Sequence, residues 1–309
     1  MKEIGIIYCP THKPFCSSLK RWKKMAAILD AKGVEYDMAL SETSHSVERL
    51  FMKMIDQGYT TIVIAGGDSA LYDAVNALMK VEKKVRDGIT LGVIPNGIMN
   101  DFAQFWGMTY DDIELSVDSL VQHRTRKIDI GCIRYTDKSG EQKQRYFLNS
   151  VNIGLLARIQ TLRQQTRRIF WSRKLSYLIS LFMMVFQKMN YLLTYTINYT
   201  EETHQVTTLC VGNALGYGQT PNAVPYNGLL DVTVVRRSLF TQFIGAIYLF
   251  LRGKILMHKR VKPYRSQMVE IDSEKPLPLS IDGHPMESPV GKFTFTVEQE
   301  TINFIIEKY

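Results

Sequence analysis

Apolar runs and amphipathic stretches alternate through the first third of the chain: Ile4 to Tyr8, a helical segment around Leu19 to Leu29, Val34 to Leu40, a second around Val47 to Ile55, then Thr60 to Ala65. Short apolar runs separated by helical segments predict βαβαβ and a parallel sheet covered on both faces. Leu91 to Pro95 continues the sheet and Tyr110 to His123 reads as a closing helix. After Arg126 the rhythm becomes β-rich: Ile128 to Tyr135, Arg145 to Asn152, Leu193 to Tyr199, Gln205 to Val211, Leu230 to Val235, Met268 to Ile271, Leu277 to Ile281 and Phe293 to Val297. Two long helical segments, 155–190 and 239–257, interrupt these strands, and 216–228 reads as an irregular Gly/Asn/Pro-rich loop. No internal repeat is present.

A length of 309 residues allows two domains with sizeable cores, and 45% hydrophobic with 22% charged residues is the composition of a folded globular chain. Cys9, Cys16, Cys132 and Cys210 form no CxxC, and no secretory leader is seen, so the expectation is a reducing cytoplasm without a disulfide framework or zinc site. Leu175 to Phe186 is twelve residues long, short of the roughly 20 needed to span a bilayer. The net charge of +8 fits nucleic acid, an anionic membrane or an anionic cofactor. Arg158, Arg163, Arg167, Arg168, Arg173 and Lys174, with Phe170 and Trp171, precede the apolar run. They read either as a docking segment for anionic lipid or as the solvated face of a core helix. No nucleic-acid-binding module is recognisable.

The chemistry concentrates where strands turn into helices. Thr61 to Gly66 ends in Gly66-Gly67-Asp68 and restarts as a helix through Met79. Glycines at such a turn let the backbone approach a ligand, and the helix N–H groups favour an anion. Asp68 inside an anion site calls for Mg²⁺ or a catalytic network; the alternative is an ordinary βα turn with a capping Asp. A second turn follows at Asn96-Gly97-Ile98-Met99-Asn100-Asp101-Phe102, where Asn100 or Asp101 is either part of the ligand site or an N-cap. Both turns lie at carboxyl ends of parallel strands, where such folds bind ligands. His12, His45, His123, His204 and His258 show no metal-ligand spacing, and Met183 and Met184 suit acyl contact or core packing.

These residues resemble the diacylglycerol kinase catalytic-domain family, which includes bacterial lipid kinases and is related to sphingosine kinases and NAD kinases. Its Gly-Gly-Asp-Gly-Thr is similar to Gly66-Gly67-Asp68-Ser69-Ala70, followed by Val75-Asn76-x-Leu78, and its Pro-Leu-Gly-Thr-x-Asn-Asp-Phe to Pro95 through Phe102. Asn152-Ile-Gly154, Val211-Gly212-Asn213, Asn227-Gly228-Leu-Leu-Asp231 and Ile281-Asp282-Gly283-His284-Pro285 follow in family order. The resemblance implies an α/β nucleotide-binding domain over 1–126, to which 298–309 returns, and a β-sandwich lipid-substrate domain over 127–297 with inserted helices. It implies ATP and Mg²⁺, with Ser41, Gly66, Gly67, Asp68, Ser69, Ala70, Gly97, Asn100 and Asp101 on the nucleotide side. Asp68, Asp282 and His284 are its implied catalytic residues, and Asn227 and Leu229 its implied structural metal ligands. The implied function is phosphorylation of a hydroxyl of diacylglycerol or a sphingoid-type lipid by a cytoplasmic protein at an anionic membrane surface, without nucleic acid and with homodimerisation open.

The chain also departs from the family pattern. Ala70 and Ile98 replace two ATP-bonding threonines, Asn227 replaces an Asp, and Cys9-Pro10-Thr11-His12-Lys13 replaces Asn-Pro-x-Ser-Gly. His284 stands where the family has the Glu proposed as proton acceptor. An imidazole, with an ordinary pKa of about 6.5, can take that role at neutral pH, while the bland reading is a turn residue before Pro285. A catalytically impaired lipid- or nucleotide-binding regulator is therefore the alternative. A nicotinamide dehydrogenase is disfavoured because no GxGxxG follows the first strand.

Overall fold

The computed structural model describes residues 4–10, 18–42, 46–97, 100–160, 190–215, 220–237, 242, 245–246, 248–249, 252, 254–286, 289 and 291–307. Ile98, His12, His45, Cys16, Met183, Met184, Phe170, Trp171 and the basic residues from Arg163 to Lys174 lie outside them, as does the apolar run 175–186. The chain divides into two compact units, Met1–Ile130 with Gln299–Tyr309, and Gly131–Glu298. The division falls inside two long strands, Thr125–Thr136 and Gly291–Ile305.

The first unit is a parallel sheet of β1 (Ile4–Tyr8), β2 (Tyr36–Leu40), β3 (Thr61–Gly66), β4 (Thr90–Pro95) and the end of the last strand, β15 (Gly291–Ile305), ordered β2-β1-β3-β4-β15. Its helices are α1 (Ser18–Ala31), α2 (Ser46–Asp56), α3 (Asp68–Leu78), α4 (Lys83–Arg86), α5 (Asp101–Phe105) and α6 (Ile113–Gln122). Met25 and Leu29 of α1 join Ile113, Val117 and Leu120 of α6 over Ile6, Tyr8, Val63 and Ala65, one face of the sheet. Alternate positions face the other way, where Gly5 lies directly under Met54 of α2. Every residue of β3 is buried, as expected for an apolar run covered on both sides. The edge strand β2 is by contrast only partly buried, with Met38 and Leu40 exposed.

The second unit is antiparallel and β-sandwich-like. The 13-residue β9 (Thr200–Gly212) joins two sets of strands. Its first half pairs with β8 (Tyr191–Ile197), which leads through β12 (Met268–Ser273) to β15. Its second half pairs with β7 (Ser150–Gly154) and β10 (Leu230–Arg236), which lead to β13 (Leu279–Ile281) with β14 (His284–Met286), and to β11 (Val261–Ser266). The remaining strands are β5 (Thr125–Thr136), paired with β15, and β6 (Gln142–Phe147).

Three expectations change here. The single strand expected from Arg145 to Asn152 is two, because Leu148 and Asn149 turn their N–H groups onto a side chain described below. The helix expected over 239–257 does not run to its end, where Ile255–Met257 forms a separate 3-10 turn. Val261–Ser266, polar and containing Pro263, is a strand that periodicity passed over; proline is tolerated there because β11 pairs on one side only.

Candidate functional site

At the carboxyl end of the parallel sheet the loops hydrogen-bond to one another. Gly66 closes β3 at a point with no space for a side chain: a Cβ there would lie 2.9 Å from the Ala70 Cβ and 3.3 Å from the Cys9 Cβ. Gly67 is the extended N-cap of α3, and its carbonyl accepts the N–H groups of Ala70 and Leu71 at 3.0 and 3.1 Å. The N–H groups of Gly67 and Ser69 have no acceptor among the described residues. They stand at the positive end of an 11-residue helix, an arrangement that suits a phosphate.

Asp68 is 7% exposed, and its carboxylate reaches across to the next turn. Oδ2 accepts the Asp101 N–H at 2.8 Å and Oδ1 the Phe102 N–H at 3.2 Å. These are first-turn donors of α5, whose own N-cap residue, Asn100, makes no side-chain cap. The Asn100 amide instead folds its loop: Oδ1 accepts the Gly97 N–H at 2.9 Å and Nδ2 donates to the Gly97 carbonyl at 3.0 Å. Asp68 therefore positions the second turn against the first, and both its oxygens already accept backbone N–H groups.

Asn96, only 1% exposed, completes the stitching. Its N–H donates to the Gly66 carbonyl and its Nδ2 to the Cys9 carbonyl, both at 2.8 Å. Its Oδ1 accepts from Arg21 Nε at 2.8 Å, while Arg21 also donates to the Pro95 and Tyr110 carbonyls and stacks 3.6 Å from the Tyr110 ring centroid. Arg21 was invisible to motif reasoning. The available signal was Asn96, since a polar side chain in a leucine's place needs a partner once buried. The Ser41 N–H donates to the Tyr8 carbonyl at 2.8 Å, and its hydroxyl shares a 2.7 Å bond with Ser46. Burial raises the adjacent Cys9 thiol to about 11, so it is no nucleophile at neutral pH. All nine residues of the expected nucleotide side lie on this end of the sheet.

In the second unit Asp282 and Gly283 form the two-residue loop of the β13–β14 hairpin, with φ of 45° and 83° and Ile281 paired to His284. Two left-handed residues make a turn whose twist matches the strands, and Asp-Gly is its favoured sequence. The Asp282 carboxylate accepts the N–H groups of Leu148 at 2.7 Å and of Asn149 and Ser150 at 2.9 Å. This side chain is what breaks β6 from β7. His284 opens β14 half-buried, with its ring Nε2 buried from solvent.

Beside the hairpin, the register aligns Ser280, Asn152, Cys210 and Thr233 across four neighbouring strands, all buried. Ser280 donates to Gln160, and Asn213 Nδ2 to the Leu148 carbonyl at 3.0 Å. Asn152 Oδ1 takes no donor among the described residues, so this buried polar row suits an ordered water. The sequence showed Asn152 and Asn213 but not the row, because register decides which residues become neighbours.

Asn227 and Leu229, the implied structural metal ligands, are bonded to each other. Asn227 Oδ1 accepts the Leu229 N–H at 3.0 Å, closing a local turn. Nearby in the chain, Asp231 is paired at 2.9 Å with Arg265, whose guanidinium also donates to the Asn222 carbonyl. Arg265 takes Oδ1 and leaves the buried Oδ2 without a donor among the described residues, where no group of three His, Cys, Asp or Glu is placed to hold a metal.

Residues 16–133 match the family model described as "Diacylglycerol kinase catalytic domain", and residues 149–303 match the "YegS C-terminal NAD kinase beta sandwich-like domain". The chain belongs to the diacylglycerol kinase family. It is 26% identical over 281 residues to the "Probable lipid kinase YegS-like" of Shewanella frigidimarina, covering 90% of this chain and 86% of that one. It is 24% identical over 301 residues to the diacylglycerol kinase of Bacillus subtilis, covering 92% and 90%. A crystal structure of a diacylglycerol kinase from Bacillus anthracis superposes with a TM-score of 0.70 at 15% identity, over 99% of this chain and 97% of that one, which establishes the shared fold. Among the described residues no helix is long and apolar enough to cross a membrane.

Proposed function

We propose that this member of the family is an ATP- and Mg²⁺-dependent kinase that phosphorylates a hydroxyl of diacylglycerol or a sphingoid-type lipid at the inner membrane surface, from the cytoplasm. The observation carrying the proposal is the Asp68 strut, which holds two phosphate-type turns in one fixed relation. ATP with Mg²⁺ supplies the transferable phosphoryl group and its charge neutralisation when bound. The Gly67 and Ser69 N–H groups hold phosphate oxygens, Asp101 sits beside them, and Arg21 keeps the loops from spreading. His284 takes the proton of the lipid hydroxyl, on a hairpin that Asp282 clamps rigid; positional precision of that kind is most of what phosphoryl transfer asks of a protein.

The test is transfer of labelled γ-phosphate to a mixed lipid extract, with wild type and His284→Ala compared. Labelled lipid from wild type and a loss of about 10²–10⁴ in the variant is the expected result. No labelled lipid from wild type would favour the second reading, a nucleotide- or lipid-binding regulator. That reading draws on Ala70, buried where the family resemblance places a threonine hydroxyl.

A further inference from the structure

A group of unpaired positive charges lies outside the site. Between Asp231 and Glu270 there is no acidic residue, while Arg236, Arg237, Arg252, Lys254, Lys259, Arg260, Lys262 and Arg265 are all cationic. Arg236, Arg237 and Arg265 are tied to Glu202, Gln205 and Asp231. Lys254, Lys259, Arg260 and Lys262 are exposed and make no ion pair among the described residues. They flank the 3-10 turn Ile255–Met257, which is anchored from inside. Ile255 is buried with Val235, Ala246 and Val261, and the backbone on either side is pinned by Lys254 N–H to the Leu249 carbonyl and Val261 N–H to the His258 carbonyl. The anchoring leaves Met257 72% exposed at the tip, with Tyr248, 52% exposed, under Arg252.

An apolar side chain held out on a rigid turn and flanked along the chain by cations combines two terms. Insertion removes the methionine from water, and the lysines meet negative charge at the depth of the head groups. Nucleic acid would use the charge but not the methionine. We infer that the turn Lys254–Lys262 is a docking knuckle for an anionic lipid bilayer. The choice of a bilayer rests on the lipid-kinase reading; the docking itself is measured without ATP or turnover.

The experiment is co-sedimentation of the full chain with vesicles of phosphatidylcholine containing about a third phosphatidylglycerol. Changing Lys254, Lys259 and Lys262 together to Gln should lower partitioning roughly a hundredfold and flatten its salt dependence. Met257→Asp should lower it about tenfold or more with the salt dependence retained. Both variants should melt at the wild-type temperature, since the changed side chains are exposed. Three results overturn the inference: wild-type partitioning by the triple variant, loss of binding only when Arg167, Arg168 and Arg173 are changed to Gln, or retention of vesicle binding with loss of oligonucleotide binding. A protein that docks through the knuckle but transfers no phosphate would sink the kinase reading alone. One that phosphorylates detergent-solubilised lipid yet ignores vesicles would sink this inference alone.

Discussion

Asp68 carries the sharpest change of view at the scale of single residues. A charged residue in a ligand turn is expected to be dispensable for folding, yet both its oxygens cap α5 in a buried setting. Asp68→Ala should therefore cost about 2–3 kcal/mol in urea unfolding as well as activity, because two N–H groups lose their acceptor. Stability equal to wild type would show that the strut is not formed in solution. His284 makes a separable prediction. If it is the base, the rate rises with pH through a single imidazole ionisation, and His284→Glu shifts that ionisation to the acid side while retaining turnover. A profile identical in wild type and the glutamate variant would move the role to another group.

Among elements, the first unit's loops behave as one piece because Arg21 of α1 ties the end of β4 to the loop before α6 and holds Asn96, which bonds the end of β1. Arg21→Met keeps much of the side-chain volume and removes five donors. It should leave Asn96 Oδ1 buried without a partner, lower stability by about 1–3 kcal/mol and raise the KM for ATP more than it lowers kcat. An unchanged KM would mean that the loops hold their shape without it. The β13–β14 hairpin shows the same logic at smaller size. Its Asp-Gly loop was visible as a motif, but the three N–H groups that the aspartate captures come from a segment more than 130 residues earlier in the chain.

For the whole molecule, two conditions test the balance of charge and burial. Burial raises Cys9 and Cys132 to about 11 and Cys210 to about 12. The unfolded chain ionises its thiols near 8.5, so the folded state holds more protons above that pH. Stability should be level from pH 7 to about 8.5 and then fall by up to about 1.4 kcal/mol per pH unit for each thiol until the folded values are reached. A rise over that range would refute the burial. Mg²⁺ provides the second condition. With Arg265 balancing Asp231 and Asn227 turned onto Leu229, millimolar Mg²⁺ without nucleotide should not move the melting temperature relative to EDTA. A clear upward shift, absent in Asn227→Ala, would restore the structural metal.

Local pattern determined the βαβ rhythm, the parallel sheet, the switch to a β-rich second half and the two Gly-containing turns, because strand burial and turn geometry are written in a few adjacent residues. Tertiary structure decided what the polar residues at those turns do. Asp68 could be read as a ligand group or a cap, and only the approach of Asp101 and Phe102 makes it a bridge between helices. Arg21 with Asn96, Arg265 with Asp231, and the row from Ser280 to Thr233 each join residues far apart in the chain, where no sequence spacing constrains the distance. The knuckle at Met257 belongs to the same class. Its cations are plain in the sequence, but only the packing of Ile255 beneath the turn decides that the methionine points outward.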